Sequence, residues 1–97
     1  MNKQDAPSKP DPSVLPWETL WEIIRVFEVG ARKYSVHGWK TVPNAQAVYK
    51  RALYRHVIRY ASGEKSDEEG LPHLACIAAN AMILLAIGQH EPDNHRS

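Results

Sequence analysis

LPHLACIAANAMILLAIG, residues 71–88, decides the fold. It places Ala75, Ala78, Ala79, Ala81 and Ala86 beside Leu74, Ile77, Leu84 and Leu85, so apolar side chains cover most of a helical circumference. The small residues let another helix approach closely, and the Leu and Ile supply burial. A helix of this kind belongs at the centre of a bundle. The pattern predicts a start near Gly70-Leu71-Pro72, continuation to Ile87 and a stop at Gly88. The apolar run from Ala75 to Ile87 is interrupted by Asn80 and is too short to span a bilayer.

Two more helices are predicted upstream. Asn44, a candidate N-cap, opens one that runs to Ala61, where Ser62-Gly63 ends it. The other runs from Pro16 to Lys33, with Trp17, Leu20, Trp21, Ile24 and Phe27 at helical spacing and Ile23 and Val26 widening the stripe. Glu18 and Glu22 lie near its positive end, and Arg32 and Lys33 in its last turn, as the helix dipole favours. Between these two helices lies YSVHGWKTVPN, broken by Gly38, Pro43 and Asn44. No segment alternates with period two for long enough to make a strand. The fold class is therefore all-α, with three main helices. Three helices of this length make a poor closed core, which points to a bundle completed by a second copy in a homo-oligomer, a dimer or tetramer.

The 97 residues make one domain that buries only about two thirds of its unfolded surface. Pro7, Pro10 and Pro12 mark residues 1–15 as an extended, mobile arm, with Pro16 placed to open a helix; residues 16–88 form the body and 89–97 a polar, frayed tail. The net charge of +1 provides no field for a nucleic-acid polymer or an acidic membrane. A single cysteine, Cys76, excludes an intrachain disulfide framework. Met1 to Pro12 lacks the apolar core of a signal peptide, and a cytoplasmic setting is expected.

Four groups of residues suggest chemistry. Arg51, Arg55 and Arg59 fall at four-residue spacing with His56 beside them, and no acid lies between Asn44 and Tyr60. Guanidinium groups chelate phosphate oxygens, so this ridge suits a di- or triphosphate; a solvated face is the plainer alternative. Next comes GEKSDEEG, residues 63–70, where Glu64, Asp67, Glu68 and Glu69 offer hard oxygen ligands for Mg²⁺ or form a polar turn. His73, Cys76 and Asn80 share one face of the last helix, either as a structural network or as a stripe facing a ligand, with His73 able to hold a metal or position a water. Lys33, Tyr34, His37 and Trp39 mix cationic and aromatic groups that can meet a phosphate and stack on a base, although Trp39 also suits a cap on the core. A Gly-rich phosphate loop, HExxH, paired CxxC and a Ser-His-Asp pattern are all missing from the sequence.

In order along the chain stand Leu15-Pro16, Leu20, Glu22, Gly30-Ala31-Arg32-Lys33-Tyr34, Trp39, Arg55-His56, Gly63-Glu64, Asp67, Gly70-Leu71, His73-Leu74-Ala75 and Asn80. This order resembles the N-terminal domain family of phage and bacterial dATP/dGTP diphosphohydrolases, related to the MazG-type all-α nucleotide pyrophosphohydrolases. The resemblance covers residues 14–87. It implies a MazG-like oligomer that hydrolyses a deoxynucleoside triphosphate to the monophosphate and pyrophosphate with Mg²⁺ or Mn²⁺. On that reading Glu64, Asp67 and His73 are catalytic, and Glu64, Asp67, Glu69 and His73 hold the metal. Lys33, Tyr34, Trp39, Arg51, Arg55, His56, Arg59 and Asn80 bind the substrate. The chain departs from the family pattern at Ser13, at the shortened D-E-E-G of residues 67–70, and at Cys76, where the family often has His. Two alternatives stand beside hydrolysis: a non-catalytic, nucleotide-sequestering phage protein, for which Cys76 is the best argument, and a small helical inhibitor that binds a partner.

Overall fold

The computed structural model describes residues 9–89. Three α-helices carry the fold: α1 (Trp17–Lys33), α2 (Ala45–Ala61) and α3 (His73–Gln89). There is no strand among the described residues, only an isolated antiparallel bridge between Ser66 and Pro72. The chain is all-α. The expected arm residues 1–8 and tail residues 90–97 lie outside the described residues.

α3 packs against both α1 and α2, as its all-round apolar surface requires. His73, Ala75, Cys76, Ala79, Asn80 and Ile83 are buried on it, while α1 and α2 contribute no fully buried residue. Leu71, just before α3, completes this small core. The inner face of α1 is Leu20, Ile23, Val26, Phe27, Gly30 and Ala31, all half-buried. Trp17, Trp21 and Ile24 of the expected stripe instead face outward, with Trp21 70% exposed. A single neighbouring helix covers only one side of so wide an apolar stripe.

Four local expectations change. α3 runs through Gly88 to Gln89, since one glycine costs a helix only about 1 kcal/mol. Asn44 occupies the N-cap position of α2 with φ 54° and its side chain makes no capping bond; the left-handed backbone replaces the extended one that aims a cap at the first turn. Within the arm, Pro12–Val14 form a 3₁₀ turn, because Asp11 Oδ1 accepts from Ser13 N at 3.0 Å and Ser13 Oγ at 2.7 Å. Gly38–Thr41 form a second 3₁₀ turn in the connector. No helix among the described residues is long and apolar enough to cross a membrane.

Candidate functional site

The loop between α2 and α3 is tightly built. Gly63, with φ 102°, turns the chain out of α2, and Gly70, with φ 79°, turns it back toward α3. Between them Asp67 Oδ1 accepts from the backbone N–H groups of Glu69 and Leu71, both at 2.9 Å. Asp67 N–H donates to Leu71 O at 2.9 Å, and His73 N–H reaches Lys65 O at 2.8 Å. Asp67 therefore organises the acidic segment through one carboxylate oxygen, an Asx turn extended by one further bond.

That loop delivers carboxylates to the basic face of α2. Arg59 forms a two-pronged pair with Glu64, through Nε to Oε1 and Nη2 to Oε2, and donates from Nη2 to Glu68 at 2.8 Å. Lys33, at the end of α1, pairs with Glu69 at 2.9 Å. The Arg59 guanidinium, with help from His73, brings Glu64 down to about 2, and it also lowers Glu68. Glu64 and Glu68 in turn raise Arg59, and Glu69 raises Lys33. The absence of acids within α2 did not leave Arg59 unpaired, since its partners come from the following loop.

A hollow of about 410 Å³ opens where these elements meet. Lys33, Arg55 and Arg59 supply its cations, Asp67, Glu68 and Glu69 its carboxylates, and His56 its imidazole. Behind His56 lies fully buried His73. The two Nδ1 atoms are 2.8 Å apart, and His73 Nε2 lies 2.9 Å from Glu64 Oε1. A Glu64–His73–His56 hydrogen-bonded chain thus ends at the hollow. Burial, reinforced by His73, pushes His56 below the ordinary histidine value.

Other expected site residues lie elsewhere. Arg51 is exposed one turn before Arg55 and does not line the hollow. Tyr34, Trp39 and Asn80 border a separate, mainly apolar pocket of about 170 Å³ where α1, the connector, α2 and α3 meet. Cys76 is buried, and its thiol is pushed up to about 11 by that burial, so it is a poor nucleophile. Tyr49 was not singled out in the sequence, and Glu68 was named there within the acidic stretch but not as a partner of Arg59. Glu68 lies nine residues after Arg59, a separation that only the folded loop closes. Tyr49, which borders the apolar pocket, left one signal: an aromatic residue next to Val48 on the inner face of α2.

Among the described residues no three His, Cys, Asp or Glu side chains gather to hold a metal ion by themselves. Both nitrogens of His73 already have protein partners, so a metal there would have to displace one. A divalent cation arriving with phosphate needs only one or two carboxylates. Asp67, Glu68 and Glu69 at the hollow fit that smaller demand, with Asp67 keeping one oxygen outside its turn bonds.

Fold and site together define a small all-α domain with a charged hollow where the inter-helix loop meets α2 and the end of α1. The chain belongs to the dATP/dGTP diphosphohydrolase N-terminal domain family, whose model matches residues 1–96. Searches of curated proteins and of solved structures gave no match.

Proposed function

We propose that the chain is a metal-dependent deoxynucleoside triphosphate pyrophosphohydrolase, acting on dATP or dGTP to release the monophosphate and pyrophosphate. The observation that carries this reading is the shared hollow, where three cations, three carboxylates and an imidazole face one space. Family membership supports the substrate class. Arg55, which has no carboxylate partner among the described residues, is the first contact for phosphate. Lys33 and Arg59 join it by exchanging Glu69 and Glu68 for phosphate oxygens, and the carboxylates so released would hold Mg²⁺ or Mn²⁺. The metal, when bound, neutralises phosphate charge and acidifies a water. His56 Nε2 takes the proton of the attacking water, while His73 and Glu64 orient the ring. Phosphoryl transfer asks chiefly for such positioning and charge stabilisation.

This reading also includes a homo-oligomer. Trp17, Trp21 and Ile24 on α1, and Leu74 and Leu85 on α3, are apolar and uncovered in the single chain. A second copy would bury them.

Coupled pyrophosphate release, scanned over the deoxynucleoside triphosphates with Mg²⁺ and Mn²⁺, tests the activity. Turnover of dATP or dGTP that falls at least a hundredfold in Arg55→Ala supports the reading, and no turnover of any triphosphate at micromolar protein overturns it. Cys76, standing where the family often has His, favours a second reading in which the nucleotide is bound and retained intact. Saturable binding without turnover would select that one.

A further inference from the structure

We infer that the apolar pocket beside Trp39 receives the nucleobase of the nucleotide whose phosphates occupy the hollow, and that Asn80 Oδ1 reads an N–H donor on that base. This rests on the nucleotide reading of the hollow.

His73 backs the hollow through His56, and Asn80 borders the pocket. They are seven residues apart on α3, which places them on one face and about 10 Å apart along the axis. Lys33 and Tyr34, adjacent at the end of α1, make the same division, with Lys33 at the hollow and Tyr34 at the pocket. A base and its triphosphate are likewise the two ends of one extended molecule.

At about 170 Å³ the pocket has room for one ring system of a larger ligand, and a second apolar hollow of about 390 Å³ adjoins it across Phe27, Trp39 and Ile83. Phe27, Trp39 and Tyr49 line it and offer aromatic surface to a flat ring.

Asn80 has one amide atom to spare. Its Nδ2 donates to Cys76 O at 2.8 Å. A carbonyl only accepts, so the amide orientation is set and Oδ1 is the atom left over. Oδ1 has no protein partner among the described residues, yet it is not a sealed, unsatisfied atom. On a residue only 9% exposed that borders this pocket, it is an acceptor awaiting a donor. An exocyclic amino group or ring N–H supplies one.

Gly30 points the same way. It sits inside α1, where glycine is unfavourable, and a Cβ there would meet nothing within 4 Å. No packing among the described residues accounts for the missing side chain. It borders the pocket, and its smallness keeps that space open.

The test compares two probes by calorimetric titration in the presence of Mg²⁺: the α,β-methylene analogue of dATP and inorganic tripolyphosphate. Tripolyphosphate needs only the hollow. Gly30→Leu, which fills the pocket, and Asn80→Leu, which removes the acceptor, should each weaken the analogue at least tenfold. Both should leave tripolyphosphate within twofold of wild type, which also certifies that the variants are folded. Analogue affinity within twofold of wild type in both variants overturns the inference while leaving the phosphate site standing. If wild-type protein binds neither probe, the nucleotide reading fails and this inference with it.

Discussion

The Nδ1 atoms of His56 and His73 lie 2.8 Å apart, so one ring donates to the other. Glu64 decides which. Its carboxylate can only accept, and it takes the N–H of His73 Nε2 at 2.9 Å. With both rings neutral, His73 Nδ1 accepts and His56 Nδ1–H donates. His56 Nε2 then carries the lone pair, on the ring that lines the hollow. Long-range proton–nitrogen NMR correlations should show His73 protonated at Nε2 and His56 at Nδ1. A neutral His56 protonated at Nε2 instead would contradict the arrangement.

The depressed His56 value gives a signed pH dependence. Its folded value lies below the unfolded 6.5 because burial and His73 disfavour its charge. As pH falls through 6.5 the unfolded chain therefore binds the proton first, and stability declines toward the folded value. Urea midpoints should fall over that window in wild type and fall less in His56→Asn. If nucleotide turnover occurs, its acid limb should also have a midpoint below 6.5.

Glu64 acts at lower pH. Held down to about 2 from an ordinary 4.5, it contributes stability that is present above 4.5 and lost as pH drops through about 2. Glu64→Gln should flatten the acid limb of an unfolding profile over that range and loosen His73. An unchanged limb would mean that the Arg59 pair is screened away by solvent.

Much of this was legible in the sequence because helical periodicity and chain breakers are local signals. The apolar circumference of residues 71–88 placed α3 at the centre, and Gly63 marked the end of α2. The outward turn of Trp17 and Trp21 was not legible, because apolar spacing defines a stripe but not which part of it a neighbour covers. Nor was the His56–His73 bond, which joins residues 17 apart through a loop whose shape depends on Asp67 and two glycines with positive φ. Loop closure likewise changed Arg59 from an apparently free cation into a paired one. Long-range pairing leaves no periodic trace.

Gly30 offers a stability test separate from ligands. Gly30→Ala adds a methyl group into open space in a helix interior, which should stabilise the fold by about 0.5–1 kcal/mol. Urea denaturation checks it. Destabilisation would show that the site is more crowded than the structure gives.

The proposed oligomer makes its own demand. Light scattering behind size-exclusion chromatography should give a dimer or tetramer mass, and Trp21→Glu, on the uncovered face of α1, should lower it. A monomer at all concentrations up to hundreds of micromolar would contradict that part of the account and leave Trp21 facing solvent.

Phosphorus NMR of dATP or dGTP incubated with the protein and Mg²⁺ reads which bond breaks. The account predicts loss of the triphosphate signals with matched growth of monophosphate and pyrophosphate. Triphosphate that stays intact at micromolar protein, or that yields orthophosphate instead, would contradict it.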